Sequence, residues 1–222
     1  ERVRRLLGSE GSSLRGVFDR EAAAQILRER LGSDFGKVLN DAVRRTTDSG
    51  IYAVEERKRL LYQIPFQSIL TTNFDHMLNG TIGNPDIYRE SLRKAREPWF
   101  NLFSWSTGDR LSGVIKLHGD IDSISEGSDP GVVLTRTDYR KLLFEDSRYS
   151  NFLKALMATR TVLFLGFSFS DGYLNLLRSE VLALLRHEPN EPLAYAVLDN
   201  VDREEADFLA EHEGIHTLVY NS

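Results

Sequence analysis

Polar residues follow three apolar stretches of this chain, and they are of the kinds that bind and activate small molecules. The three segments that contain these polar residues read TTNFD at 71–75, KLHGD at 116–120 and LGFSFS at 165–170. Side chains that lie just beyond the carboxyl ends of parallel strands can face a ligand in the crevice outside the sheet. The sequence therefore predicts that three strand ends carry the chemistry of this protein.

The first stretch offers an amide and a carboxylate two residues apart, in Asn73 and Asp75. An amide both donates and accepts hydrogen bonds, so Asn73 could hold a sugar hydroxyl, a carboxamide or an attacking water. Either residue could instead cap the start of a following helix, which we expect to open at 76–78, by accepting backbone N–H bonds. Local sequence leaves both interpretations open.

The second stretch places His118 after an apolar strand and before Gly119. The imidazole of histidine titrates near neutral pH, which suits it to take a proton from a hydroxyl or a water. Gly119 would let the chain turn sharply and bring its backbone close to a ligand. A hydrogen-bonded structural role for His118 is the alternative.

The third stretch joins a strand to a helix, and peptide N–H groups at a helix start can bind phosphate. Gly166 would permit close approach of such a group, although many strand–glycine–helix turns bind nothing. Asp199 or Asn200 follows a further apolar run, where a polar side chain could bond an adenine ribose.

The elements that must position these residues differ between the two parts of the chain. Residues 1–64 read as a helical segment, whereas 65–222 alternate strand-length apolar runs with helical patterns, all within a single predicted domain. This alternation predicts a Rossmann-like α/β fold with a mostly parallel sheet and helices on both faces. The predicted helices are 20–31, 34–45, 54–63, 139–144, 151–157, 174–185 and 204–213, and the predicted strands are 66–72, 113–117, 161–167, 193–198 and 216–220.

Composition excludes several classes of function. The 222 residues include no cysteine, which removes thiol catalysis and a cysteine-ligated zinc. The formal net charge of −5 argues against direct nucleic-acid binding. No apolar run approaches the ~20 residues that cross a bilayer, so we expect no membrane association and a cytoplasmic location.

Four motifs carry a resemblance to a known family: TTNFD, KLHGD, VLTRTDY at 133–139 and VLFLGFSFSD at 162–171. Their order and spacing resemble those of the sirtuin-like domains of bacterial NAD-consuming defence proteins. The resemblance implies that Asn73 and His118 are the catalytic pair of an NAD+ hydrolase. It also implies NAD contacts from the residues Thr72, Asp75, Gly119, Gly166, Ser168 and Asp199.

The same resemblance implies an effector of antiphage defence that depletes NAD when a sensor or activator, or self-association into a homo-oligomer, switches it on. Two departures from the family are visible. The glycine-rich opening segment of the fold is not among these residues, which suggests a longer chain, and the paired-cysteine zinc module of protein-deacetylating sirtuins is absent. Alternatives are an NAD- or ADP-ribose-binding signalling module without turnover, and a protein deacylase.

Two further motifs point elsewhere. Residues 212–216 match the HExxH zinc pattern, but Gly214 is expected to end a helix there, so that the two histidines would not share a face. Residues 166–170 come one residue short of a nucleophile elbow, with Asp199 and His216 following in α/β-hydrolase order. The hydrolase interpretation leaves Asn73 and His118 unexplained.

Overall fold

The computed structural model describes residues 20–66, 68–78, 114–120, 131–145, 147–167, 169, 172–185 and 192–220. The chain divides into two compact units, Glu1–Lys141 and Leu142–Ser222. The single domain with a helical part over 1–64 stays a prediction.

The first unit begins with two helices. Helix α1 spans Arg20–Leu31, as predicted, and a 3-10 turn at Gly32–Asp34 leads into helix α2, Phe35–Gln63. Two separate helices at 34–45 and 54–63 were predicted, and this is wrong, because α2 runs through the polar linker between them. A single glycine costs about 1 kcal/mol inside a helix and, unlike proline, does not remove a backbone donor.

The core of this unit joins its helices to the strand ends. Leu27, Phe35, Leu39 and Val132 form a buried cluster, and Phe74 packs against it. Because Phe74 directly follows Asn73, packing against the helices anchors the loop that carries the candidate amide.

Two short parallel strands make the sheet of the first unit. Strand β1 is Ile69–Thr71 and strand β2 is Val114–Lys116, with Thr71 opposite Lys116 in the register. Both are shorter than predicted. All three residues of β2 are buried, which agrees with a strand that is covered on both faces.

Helix α3, Arg136–Arg140, starts earlier than the predicted 139–144, and a π-helical turn follows at Lys141–Glu145. The earlier start has a local cause. Thr135 and Asp138 form a capping box in which each side chain accepts the other residue's backbone N–H.

The second unit alternates helices and strands. In order they are α4 Ser147–Thr159, β3 Val162–Leu165, α5 Gly172–Leu185, β4 Ala194–Asp199, α6 Arg203–Glu213 and β5 Ile215–Tyr220. The strands lie in the order β3-β4-β5 and both pairings are parallel. The predicted Rossmann-like α/β fold is confirmed.

The end of α6 resolves the HExxH pattern. Gly214 is the C-terminal cap in the left-handed conformation, with φ +64°, and β5 begins at the next residue. His212 therefore lies on a helix and His216 on a strand, as predicted, and the two side chains do not share a helical face.

Candidate functional site

The two predicted catalytic residues leave the same edge of one strand pair. Thr71 and Lys116 are register partners at the ends of β1 and β2, and Asn73 and His118 each follow two residues later. The Leu117 N–H donates to the Thr71 carbonyl at 2.8 Å, which carries the pairing one step beyond the strands. The parallel register therefore gives Asn73 and His118 equal offsets at the carboxyl edge.

The Asn73 side chain is exposed, and its backbone N–H donates to the Thr71 Oγ1 at 3.1 Å. Thr72, between them, is half-buried. Asp75 has a structural bond, since its Oδ1 accepts the Met77 N–H at 2.9 Å in an Asx-turn. Asp75 thus accepts a backbone N–H, but residues 77–78 form a turn rather than the expected opening of a helix, so that Asp75 caps no helix there.

His118 is 4% exposed and its ring is held on one side by Tyr139. The two rings meet edge to face, with centroids 5.1 Å apart, and the Tyr139 hydroxyl lies 3.5 Å from the His118 Nδ1. The His118 carbonyl accepts the Val133 N–H at 2.8 Å. Backbone and ring are both fixed, which is what a positioned general base requires.

Gly119 makes the sharp turn that was predicted, with φ +96°. A Cβ at this position would lie 3.0 Å from the Gly131 carbonyl oxygen and 3.0 Å from the Val132 Cγ1. The close approach that requires glycine is therefore made by the chain at 131–132. A contact from Gly119 to NAD stays a prediction.

Tyr139 is positioned by the capping of its helix. Asp138 accepts the backbone N–H groups of Thr135 at 2.8 Å and Leu134 at 3.1 Å, and its two oxygens accept from Arg28 at 2.7 Å each. Burial alone would raise the pKa of Asp138, but the hydrogen bonds from Arg28 and from these two N–H groups outweigh it and leave the pKa below 3.8.

A buried ammonium lies between the loops that carry Asn73 and His118. The Lys116 Nζ donates to the Phe74 carbonyl at 3.3 Å and to the Asp75 carbonyl, and it lies 3.1 Å from the Asp120 Oδ2. The other oxygen of Asp120 is 3.5 Å from the His76 Nε2. These contacts connect the two candidate loops through charged groups.

The second unit places its predicted ligand residues at the carboxyl edge of its own sheet. Leu165 and Val197 are register partners, so that Gly166 and Asp199 lie just beyond that pair on neighbouring strands. Gly166 has φ +62° and Asp199 is exposed. Ser168 lies outside the described residues.

The loop after β3 is held by α5. Phe169 adopts a left-handed conformation with φ +52°, which a side-chain-bearing residue adopts at a cost. The Asn175 Nδ2 donates to its carbonyl at 2.6 Å, and the Arg178 guanidinium lies 5.6 Å from the centre of its ring. Helix α5 thereby fixes the loop after β3 at Phe169.

Sequence reasoning assigned no role to Lys116, Asp120, Asp138 or Tyr139, although all four lie within quoted motifs. The sequence did contain a signal for Asp138, and so for the position of Tyr139 beside it, because Thr135 and Asp138 have the spacing of a capping box. Lys116 had no such signal, since its partners are backbone carbonyls more than forty residues away, at separations of 42 and 41.

The register rules out the α/β-hydrolase alternative. His216 pairs with Tyr195 at the start of β4, whereas Asp199 ends the same strand opposite Tyr220. Four register steps of about 3.3 Å each separate the acid and the histidine by roughly 13 Å. The two side chains cannot form one triad.

Membrane-spanning helices and metal-binding clusters are both absent from the described ranges. No helix there is both long and apolar enough to cross a membrane. The same residues contain no group of three His, Cys, Asp or Glu side chains placed to hold a metal ion.

Parallel strands that alternate with helices and end in polar loops define a Rossmann-like α/β fold with candidate ligand residues at its carboxyl edges. Within that class, the family model described as "SIR2-like domain" matches residues 67–218. The chain belongs to the SIR2-like domain family, as the motifs indicated.

Curated relatives match this chain over most of its length. An NAD(+) hydrolase ThsA of Enterococcus faecium is 31% identical over 187 residues, covering 81% of this chain and 32% of the relative. A protein of the same name from Cytobacillus dafuensis is 28% identical over 173 residues, covering 76% and 32%. Defense-associated sirtuin 2 of Bacillus subtilis is 28% identical over 180 residues, covering 69% and 17%. The chain thus spans about a third or less of these relatives.

Proposed function

We propose that this domain binds NAD+ and hydrolyses its N-glycosidic bond, releasing nicotinamide and ADP-ribose. One observation carries the proposal: Asn73 and His118 follow the register partners Thr71 and Lys116 by the same two residues. An amide and an imidazole thereby lie at one carboxyl edge, where α/β sheets bind ligands. The names of the NAD(+) hydrolase relatives support the choice of substrate.

In the proposed mechanism, the exposed Asn73 amide holds the nicotinamide ribose and a water molecule. His118 takes a proton from that water or from a ribose hydroxyl. As the water oxygen bonds to the ribose C1′, the bond from C1′ to the nicotinamide nitrogen breaks, and its electron pair leaves with neutral nicotinamide. Tyr139, edge-on to His118, keeps the imidazole in one orientation.

Other residues at the carboxyl edges would hold the rest of NAD. Gly166 has the left-handed backbone that lets peptide N–H groups approach a phosphate, and Asp199 has an exposed carboxylate for the adenine ribose. The complete proposed set of binding residues is Thr72, Asp75, Gly119, Gly166, Ser168 and Asp199.

The biological setting is part of the proposal. The name of the Bacillus subtilis relative supports a role in defence, and the chain covers 17% of its length. We infer an effector that acts in the cytoplasm and depletes NAD during phage infection. Self-association, or a sensor or activator partner, would switch on its activity.

The test is nicotinamide release from NAD+ by the full-length parent protein, alone and with candidate activators. His118→Ala is expected to lower the rate by about 10²-fold or more, the usual contribution of a positioned acid–base group. Asn73→Ala should lower it by about 10²-fold as well, because the ribose and the water lose the group that positions them. His212→Ala is the matched control, because this histidine is exposed on α6.

Each rival function predicts a different result. NAD+ that binds without nicotinamide release under every condition would indicate a signalling module. Release that depends on an added acyl-lysine peptide would indicate a deacylase. If neither binding nor release occurs, the proposed function is wrong.

A further inference from the structure

We propose that Lys116 is a positioning residue, whose ammonium holds the Asn73 loop (72–75) against the His118 loop (117–120). The inference rests on the proposed function, because it concerns the geometry of that candidate catalytic pair. Lys116 itself ends β2 and would not touch NAD+.

The ammonium of Lys116 contacts both loops. It donates hydrogen bonds to the carbonyls of Phe74 and Asp75, the two residues after Asn73, and it forms an ion pair at 3.1 Å with the Oδ2 of Asp120, two residues after His118. One buried charge therefore holds the first loop by hydrogen bonds and the second by charge, each within two residues of its candidate catalytic side chain.

Asp120 also contacts the residue that directly follows the Asn73 loop. Its Oδ2 meets Lys116, while its Oδ1 lies 3.5 Å from the Nε2 of His76, which belongs to the segment that follows Asn73. The Asp120 side chain is 5% exposed, so its carboxylate is largely shielded from water where it meets Lys116 and His76. Lys116 and Asp120 form one network rather than a solvated surface pair.

Stability alone does not account for a charge in this position. The residue follows Val114 and Ile115 in a fully buried strand and is itself 4% exposed. A buried ion pair is often no more stabilising than apolar residues of the same volume, because desolvation offsets the attraction. What the ammonium provides and a methionine does not is a fixed direction for the Phe74 and Asp75 carbonyls, and hence for Asn73.

The expected consequence is kinetic. A misplacement of about 1 Å in a catalytic group can cost about 10²-fold in rate. Replacing Lys116 with methionine, which has a similar length and no donor, should free the Asn73 loop. We expect kcat for nicotinamide release to fall about 10²-fold, with a change in KM of less than about threefold.

The experiment compares Lys116→Met with Lys154→Met in the full-length parent, since Lys154 forms a more exposed pair with Glu180. Steady-state kinetics give kcat and KM, and hydrogen exchange reports the loops without reference to activity. Exchange should rise in peptides that cover 68–78 and 117–120 but not in those of the α1 and α2 core. Lys154→Met should leave both readouts unchanged.

Two results would overturn the proposal: an unchanged kcat in Lys116→Met, or exchange that rises equally throughout Glu1–Lys141. Should Lys116→Met fail to fold, Asp120→Asn removes one acceptor charge and leaves the two carbonyl bonds. Its kcat should fall about tenfold, with the exchange gain confined to the same loops, and no change in either would equally refute the idea. If the wild-type protein releases no nicotinamide at all, the proposed function fails, while the exchange data still test the tie.

Discussion

The guanidinium of Arg28 donates to both carboxylate oxygens of Asp138, at 2.7 Å each, across 110 residues of sequence. This bidentate pair joins α1 to the first turn of α3. Because Tyr139 is the next residue and lies against the His118 ring, the pair orients the aromatic support of the candidate base.

Arg28→Ala should destabilise the protein by about 3 kcal/mol, because it leaves a carboxylate that is 9% exposed without its cation. The free energy of unfolding in urea measures this. Arg44→Ala is the matched control on α2, since its hydrogen bond to Asn40 is exposed, and it should cost no more than about 0.5 kcal/mol. Equal losses in the two variants would contradict the structural role of the pair.

Acid should weaken the fold through Asp138. Its pKa is held below 3.8 in the folded state, so the unfolded chain binds the proton more readily. The contribution to stability is complete above that value and is lost as the pH falls through it towards the folded pKa. As the pH falls below about 4, the free energy of unfolding should therefore depend less steeply on pH in Asp138→Asn than in wild type. An equal pH dependence in Asp138→Asn and wild type would contradict this role of Asp138.

Gly119→Ala should cost about 2 kcal/mol more than Gly32→Ala. Both glycines have positive φ, but a Cβ at 32 would meet nothing within 4 Å, whereas one at 119 would meet Gly131 and Val132 at 3.0 Å. Backbone strain and a steric clash therefore both add to the cost at Gly119, whose φ is +96°, whereas only strain acts at Gly32, whose φ is +52°. Thermal or urea unfolding gives the difference, and similar costs at the two sites would show that the 131–132 segment moves aside.

Asp202→Ala should reduce stability by about 1 kcal/mol, the usual worth of a helix N-cap. The Asp202 Oδ1 accepts the Glu205 N–H at 2.8 Å at the start of α6. Asp207→Ala removes only an exposed pair with Arg203 and should cost a few tenths of a kcal/mol at most. Urea unfolding of the two variants tests the cap, and a loss no greater in Asp202→Ala would refute it.

Asn175→Ala should loosen the loop after β3, because the lost bond at 2.6 Å holds the carbonyl of the left-handed Phe169. The expected cost is about 1–2 kcal/mol. If the proposed function is right, KM for NAD+ should rise in Asn175→Ala, because the loop after β3 would help to bind NAD+, while kcat should stay unchanged. Ser179→Ala, which removes an exposed bond to the Asn175 carbonyl, is the control and should change neither. An unchanged KM in Asn175→Ala would separate this loop from NAD binding.

Local pattern was sufficient for much of the fold. The bounds of α1, the alternation after residue 65, the parallel pairing and the helix end at Gly214 all followed from periodicity and from the conformational freedom of glycine. The four motifs in order indicated the family, and the match over 67–218 confirmed it. Where local signals competed, as in the polar linker inside α2, the sequence was misleading, because propensity differences of about 1 kcal/mol per residue are easily overridden by helix hydrogen bonding.

The sequence by itself thus determined which residues are candidates for the chemistry and that they follow strands, since both depend on residue type and on near neighbours. Only the tertiary structure decided that Asn73 and His118 share one register offset, that Tyr139 supports the imidazole, and that Lys116 donates to the Phe74 and Asp75 carbonyls. The residues in each of these pairs are separated by 21 to 45 positions along the chain, as the residue numbers give. Which groups meet across such separations is decided by strand register and by the packing of the core, and neither is encoded in a local pattern.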